Sequence, residues 1–473
     1  MFWHERLRPG QYPSWIEVAG FKSIGTPTRV EMRPITLLAG ANSSGKSSIF
    51  QPLLLLKQSL EVTYSADPIV LSGTHLSFFS LDQIFSCKRT KQSRVREFSV
   101  AFGPMRSASK PFEESGREQD HVPIDVKLSF HRKSPKSDSL AARIAVRRAQ
   151  DEGDWVPVQE KNADPLLSLM EVSPDDADLV IHTDGIYADV LMRRKERKRP
   201  KAKILRIHAP VDWTRGILHL PGYRGHRQRL FPITKVTRGP FDVFSVEGPM
   251  PPYTASLLFE WQKNQSADTS ARQRGRTRPK DAARKLDMVG EAMRALGLTW
   301  KVKVVRANAA ELELRVGRMA VSQRGGAQDL VDIADAGYGL SQVLPVLVAL
   351  VTASPGQMVL IEQPELHLHP SAQLAMGRLL AEAANRGVIV VVETHSQLLL
   401  RSIQTIVAQG RLKPGQVGLN WFSRDDETGW TTVVQADLQE DGSFGDWPVD
   451  FPDVYSMADA EFIDAVFGRG KTR

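Results

Sequence analysis

The chain has 473 residues, 41% apolar and 25% charged, with a formal net charge of +8 and an isoelectric point near 9.4. That is room for two or three domains, or for one large domain carrying an insertion, at a composition ordinary for a soluble protein. A single cysteine, Cys87, excludes an internal disulfide and a cysteine-rich zinc site and points to a reducing compartment. The charged start lacks the apolar core of a signal peptide, and the longest apolar run, Val343 to Val351, is interrupted by Pro345 and too short to span a bilayer. The expectation is a cytoplasmic protein without a membrane segment. The positive balance suits a polyanion such as nucleic acid, though it could serve solubility alone.

In chain order, Trp15 to Val18, Thr28 to Met32 and Ile35 to Leu38 read as short strands separated by turns. Directly after them come Gly40, Ala41, Asn42, Ser43, Ser44, Gly45, Lys46 and Ser47, the G-x-x-x-x-G-K-S pattern. Ser48 then opens a helical period that runs to Leu60. The glycines let consecutive backbone N–H groups turn inward around phosphates, Lys46 adds a point charge, and the Ser47 hydroxyl suits Mg²⁺. The following helix presents its positive dipole end to the same anion. These residues predict binding of a nucleoside triphosphate.

From about Arg106 to Leu286 proline, glycine, serine and charge become frequent, and apolar periodicity survives only in pieces such as Ile124 to Phe130 and Ile204 to Ile207. This reads as an insertion. It carries two basic runs, one from Arg193 to Lys203 and one from Arg272 to Lys280, open to two readings, a solvated face or contact with nucleic-acid phosphates. Period-two patterns return between Trp300 and Val316. A glycine turn then precedes a helix from Ser341 to Val351, a strand from Met358 to Ile361, a helix from Ser371 to Asn385 and a strand from Val388 to Val392. Strand–helix–strand order with nearly continuous apolar strands implies a parallel sheet buried on both faces. The tail from Val417 reads as a small β-rich appendage.

Three later motifs bear on the chemistry. The strand Met358 to Ile361 runs into Glu362, Gln363, Pro364 and Glu365, an arrangement that presents an acid to nucleotide-bound Mg²⁺. His395 follows Glu393 and Thr394 at the end of the next strand, where an imidazole can reach a γ-phosphate. Gly337 and Gly339 precede a helix that includes Ser341 and Gln342, a second anion-binding helix start.

With Gly20 to Ser23, Ala39 to Ser48, Gly337 to Pro345, Ile361 to Pro370 and Glu393 to Ser396 taken together, the chain resembles the ABC-type ATPases of the SMC and OLD-nuclease branch, and in particular the prokaryotic AAA-class proteins of DNA-repair and phage-defence settings. The resemblance implies an α/β fold: an ABC-type P-loop ATPase head with a mostly parallel core sheet, an antiparallel β subdomain, a large insertion and a small β-rich C-terminal tail. It implies an N-terminal lobe over 1–105, a basic insertion over 106–290, a C-terminal lobe over 291–405 and an appendage over 406–473. Position by position, it makes Gly40 to Ser48 the phosphate grip for ATP, with Ser47 and Glu362 holding Mg²⁺. It makes Gly337, Gly339, Ser341 and Gln342 a signature that closes on the partner's nucleotide, Leu366 to Pro370 a segment that communicates across the dimer, and His395 the switch histidine. A homodimer or higher even oligomer follows, because each copy completes the other's pocket.

Two departures bear on hydrolysis. Gln363 stands where the resemblance implies a glutamate that polarises the attacking water, and an amide can orient water without accepting its proton. Loss of a positioned base removes about 10²- to 10⁴-fold in rate. Glu365, two residues on, could substitute. Gly337 replaces a frequent serine hydroxyl, which leaves backbone N–H groups to act. The expectation is a slow ATPase serving as a nucleotide switch over DNA or over a separate effector protein such as a nuclease. The alternatives are an OLD-like nuclease in its own right, using acids such as Asp425, Asp426, Glu427, Asp437, Glu440 and Asp441, and a non-hydrolysing ATP-sensing scaffold. His367 and His369 have the spacing of a metal pair, although a structural role suits them better.

Overall fold

The computed structural model describes residues 11–62, 67–87, 95–107, 124–134, 139–149, 154–159, 165–166, 177–184, 187–194, 202–205, 212–224, 228–234, 237–238, 244–272, 281–318, 329–445 and 460–465. Most of both basic runs, including 195–201 and 273–280, lies outside them.

Six strands form the central sheet: β1 (Ile35–Gly40), β2 (Leu218–Leu220), β3 (Met358–Glu362), β4 (Ile389–Glu393), β5 (Val417–Arg424) and β6 (Thr431–Asp437). Their spatial order is β2-β3-β4-β1-β5-β6. All neighbours are parallel except β5 and β6, which make an antiparallel hairpin. Side chains of a strand alternate between faces, and here both faces are dry. Ile35, Leu37, Val359, Ile361, Val390 and Val392 join one core, while Leu38, Met358, Leu360, Ile389 and Val391 join the other. Burial on both sides is why these strands read as unbroken apolar runs rather than alternating ones.

One face is covered by α1 (Gln51–Glu61) and by an antiparallel sheet whose strands Thr28–Glu31, Trp15–Ala19, Glu97–Phe102, Ile124–Arg132, Leu140–Arg148 and Val156–Pro157 lie side by side in that order. The opposite core draws on α2 (Thr254–Arg272), α3 (Asp281–Ala295), α4 (Tyr338–Thr352), α5 (Pro370–Asn385) and α6 (Gln397–Ala408). The helix expected from Ser48 begins as one tight 3₁₀ turn over Ser47–Ile49 and becomes α-helical at Gln51, with Pro52 in the first turn, where its missing N–H costs nothing.

Residues 106–290, read from sequence as an insertion, are interleaved with the head. They supply Ile124–Arg132 and Leu140–Arg148 to the antiparallel sheet, β2 to the edge of the central sheet, and α2 and α3 to the core. The tail likewise extends the central sheet, since β5 lies parallel to β1 along its whole length. Gly40 shows why this contact needs glycine: its φ is +141°, and a Cβ there would sit 2.1 Å from the Phe422 carbonyl oxygen.

Phe422 is fully buried where β5 meets the α1 side of the sheet. Its replacement by alanine should cost about 3–5 kcal/mol of stability, read as a lower urea midpoint for the full chain.

Candidate phosphate and magnesium site

Ligands of parallel sheets bind beyond the carboxyl ends of the strands, and the candidate residues collect there. β1 ends at Gly40 and hands over to the loop 41–46. The loop is braced from behind. Gly45 has a φ of +99°, and a Cβ on it would lie 2.1 Å from Thr431 Oγ1 and 2.5 Å from Ser23 Oγ. Thr431 Oγ1 donates to the Ser44 carbonyl at 2.8 Å or pairs with Ser23 Oγ at 2.7 Å, and Arg424 Nε donates to the Ser43 carbonyl at 2.8 Å. The segment Gly20–Ser23 and the β5–β6 hairpin thus form the wall on which the loop rests.

Lys46 is almost fully buried, and its ammonium donates to the carbonyls of Gly40 at 3.1 Å and Ala41 at 2.7 Å. Burial lowers its pKa, an effect that Glu393 and Glu365 partly offset. Ser47 Oγ donates to Glu393 Oε2 at 2.7 Å. Glu393 and Glu362 are register partners on β4 and β3, so parallel pairing alone sets two carboxylates side by side. Burial pushes the Glu393 carboxyl above its usual range; Ser47 and Lys46 counteract this, and the charges of Glu362 and Glu365 add to it.

Glu362 is gripped differently. Burial would raise its pKa, but His219 Nε2 at 3.0 Å, the Gly222 N–H at 3.0 Å and the nearby Arg224 charge hold it below the ordinary value. Glu365 accepts from Thr394 Oγ1 and from the His395 N–H, both at 2.8 Å. Its Oε2 is buried with no hydrogen-bond partner, and burial raises its pKa. The His395 imidazole is exposed beside the loop; partial desolvation and Lys46 lower its pKa, against a hydrogen bond to the Gly40 backbone that raises it. Gln363, in the position expected of a water-polarising glutamate, adopts φ +45°, a conformation that costs a non-glycine residue of order 1–3 kcal/mol.

The expected signature lies at the start of α4. Gly337 is exposed with open space around it, and Tyr338 to Gln342 form the first turns of the helix. Gly339 packs against the 366–370 segment so tightly that a Cβ would lie 2.7 Å from the His367 carbonyl oxygen. Ser341 turns its hydroxyl back to the Tyr338 carbonyl at 2.9 Å. The Gln342 side chain is fully buried and accepts from the Arg224 N–H at 3.0 Å, so it faces inward rather than toward a neighbour. His367 packs edge-on against Tyr338 at 4.8 Å, whereas His369 caps α5 through Ser371. Their H-x-H spacing therefore serves two separate structural contacts. Two of the six tail acids are similarly occupied: Asp425 caps the turn at Thr428 and Asp441 the turn at Ser443.

Three site neighbours, Glu393, Arg224 and His219, escape sequence reading. Glu393 carries a signal in the sequence, since Met358-Val-Leu-Ile-Glu362 and Ile389-Val-Val-Val-Glu393 share one pattern of an apolar strand ending in an acid. Arg224 has no such signal. Its buried guanidinium donates to the carbonyls of Gln342 at 3.0 Å, Pro221 at 2.8 Å, Gln363 at 2.9 Å and Glu362, binding α4 to the end of β3. Burial pushes its pKa down to about 10, still cationic at neutral pH.

The donor set fits magnesium. Hard oxygen ligands from Ser47, Glu362 and Glu393, with the unpartnered Glu365 oxygen nearby, suit a small divalent cation. Among the described residues no cluster of three His, Cys, Asp or Glu is spaced to hold an ion by itself. Mg²⁺ bound mainly through substrate phosphates needs only one or two protein groups.

A parallel central sheet with a phosphate loop after an inner strand and acids at the ends of the adjacent strands is the arrangement of an α/β P-loop ATPase. The chain belongs to the family described as "AAA domain, putative AbiEii toxin, Type IV TA system", which it matches over residues 35–401. Among solved structures it is similar to an Smc head bound to the C-winged helix domain of ScpA, at 12% identity and a TM-score of 0.44, with 91% of this chain and 98% of that one covered. It is also similar to an Smc head with an extended coiled coil bound to the C-terminal domain of ScpA from Pyrococcus furiosus, at 11% identity and a TM-score of 0.44, covering 90% and 96%. For the SMC head domain from Thermotoga maritima the values are 11% and 0.38, covering 89% and 98%. No curated protein matches the chain. No helix among the described residues is long and apolar enough to cross a membrane.

A carboxyl whose folded pKa is raised contributes stability that is complete below its unfolded value and disappears as pH rises through the folded one. Glu393→Gln in nucleotide-free protein should therefore gain melting temperature relative to wild type as pH rises from about 4 to about 8. Parallel thermal melts check the sign; a difference that shrinks with pH contradicts it.

Proposed function

We propose that the chain binds ATP with Mg²⁺ and works as a dimeric nucleotide switch with slow turnover. The observation that carries this is the convergence of Lys46, Ser47, Glu362, Glu393 and His395 at the carboxyl ends of three adjacent parallel strands. In this reading residues 40–48 wrap the phosphates, and Lys46 exchanges its two loop carbonyls for phosphate oxygens. Ser47 and Glu362 hold the metal, which when bound offsets phosphate charge and polarises the transferred group. His395, held neutral by its lowered pKa, has an N–H to offer a γ-phosphate.

The start of α4, exposed at Gly337, partly exposed at Ser341 and closely packed at Gly339, would close on the nucleotide of a second copy. Support comes from its open surface at Gly337 and from Arg224, which fastens the same helix to the Glu362 end of its own site. Gln342 would act through Arg224 rather than on nucleotide. Closure would change how residues 106–290 and 406–473 hold DNA or a separate effector, a nuclease among the candidates, in prokaryotic DNA repair or anti-phage defence. Membership of a family that includes a putative toxin of a type IV toxin–antitoxin system is compatible with such an effector. A nuclease within this chain is less well supported, since Asp425 and Asp441 are turn caps.

A second reading, a near-permanent ATP clamp, is favoured by Gln363, where no carboxylate follows Glu362 directly. Phosphate release separates the two. Slow turnover that rises at least about tenfold in Gln363→Glu and falls in Glu365→Gln supports the switch with Glu365 as the surrogate base; no loss in Glu365→Gln supports the clamp. Lys46→Ala should abolish nucleotide-dependent dimerisation in light scattering, and wild type that never binds Mg-ATP would defeat both readings.

A further inference from the structure

Behind Glu362 runs a buried polar chain that the proposed chemistry does not use. Lys57 of α1 is fully buried, donates to the carbonyls of Arg215 at 2.9 Å and Val246 at 3.0 Å, and pairs with Glu61 at 2.7 Å. Glu61 Oε2 accepts from the Gly248 N–H at 3.2 Å and lies 3.5 Å from Nε2 of His75, whose side chain is inaccessible. His75 and His219 touch through their Nδ1 atoms at 3.0 Å, and His219 Nε2 reaches Glu362 Oε1 at 3.0 Å.

The contacts between the two rings restrict where their protons sit. Two Nδ1 atoms in contact need one N–H between them, and an ionised carboxylate on His219 Nε2 accepts and cannot donate. With one N–H per ring, His219 carries its proton on Nε2 and His75 carries its own on Nδ1. The donor sequence then runs one way, from His75 Nδ1–H to His219 Nδ1 and from His219 Nε2–H to Glu362. Burial lowers the pKa of His75, which favours the neutral ring. The Lys57–Glu61 pair lies beyond His75 on α1, the helix that follows the phosphate loop, but an Nε2 without a proton cannot donate to Glu61, so the donor chain begins at His75.

We propose that His219 is a positioning residue for the Glu362 carboxylate, oriented by His75, and that this relay sets the Mg²⁺ affinity of the site. One oxygen of Glu362 is tied to the relay and the other to the Gly222 N–H, which fixes the plane of the carboxylate while its remaining lone pairs stay available to a cation. Outer-shell partners of this kind change metal affinity by about 10- to 100-fold when removed. The inference rests on the proposed nucleotide and magnesium reading.

The test titrates Mg²⁺ against full-length protein with a fluorescent ATP analogue, and measures binding of the same analogue in EDTA. His219→Leu should raise the Mg²⁺ needed for half-maximal binding at least about tenfold and leave metal-free binding within about twofold, since Lys46 and its loop are untouched. His219→Gln, which keeps an Nε2–H donor of similar reach, should recover most of the loss. His75→Asn, which keeps a donor near the Nδ1 position, should stay closer to wild type than His75→Leu. Unchanged Mg²⁺ dependence in His219→Leu overturns the inference, as does an equal fall in metal-free and metal-dependent binding or a failure of His219→Gln to rescue. If His219→Leu does not fold, the His219→Gln and His75 pairs decide on the same readout. Wild type lacking Mg²⁺-dependent binding would instead overturn the nucleotide reading, and this inference with it.

Discussion

Negative charge concentrated along the carboxyl-end edge of the sheet, at the ends of two interior strands, is the constraint around which the rest of the molecule is arranged. Parallel pairing of β3 with β4 places Glu362 beside Glu393, and Glu365 follows on the same side of the site. Like charges this close raise each other's pKa unless cations answer them. The chain supplies Lys46 from the loop and Arg224 from the segment after β2, and shares the load through His219 and Ser47. A divalent cation with a triphosphate is the partner such an edge is built to accept under the proposed function.

That edge cannot be assembled from the motif segments alone, because residues that hold them come from elsewhere in the chain. His219 and Arg224 arrive with a three-residue edge strand in the middle of what reads as an insertion, and Thr431 and Arg424 arrive with the C-terminal hairpin. Arg224 has a further consequence. Because it binds main-chain carbonyls of both Gln342 and Gln363, movement at the end of β3 is mechanically shared with the start of α4. Under the proposed function, the start of α4 would report the state of its own site to a second copy through this link.

Much of the central architecture was legible because it is written locally. The runs Met358–Ile361 and Val388–Val392 are apolar at every position since both sheet faces are dry, and the phosphate loop is specified by glycines whose conformations no other residue tolerates. β2 was not legible: Leu218-His219-Leu220 is too short to show a period, and its pairing with β3 spans about 140 residues of sequence. The tail hairpin was recognised as strands but not as an extension of the sheet, because the pairing of β5 with β1 depends on partners nearly 400 positions away. Arg224 was missed for the same reason, its acceptors being backbone carbonyls without side-chain signature. Gln342 was expected to face nucleotide on the strength of its place in a motif, and the structure turns it inward onto Arg224.

Under the proposed function two copies complete each other's nucleotide sites, and mixing two defective variants shows whether they do. Lys46→Ala disables the phosphate grip, whereas Ser341→Arg blocks the exposed start of α4 without touching the loop. Each variant alone should show little Mg-ATP turnover. Combined in equal amounts, they should recover activity above the sum of the separate preparations, because mixed dimers contain one intact grip facing one intact signature. Activity that stays at that sum, in dimers shown to have exchanged subunits, would contradict the account.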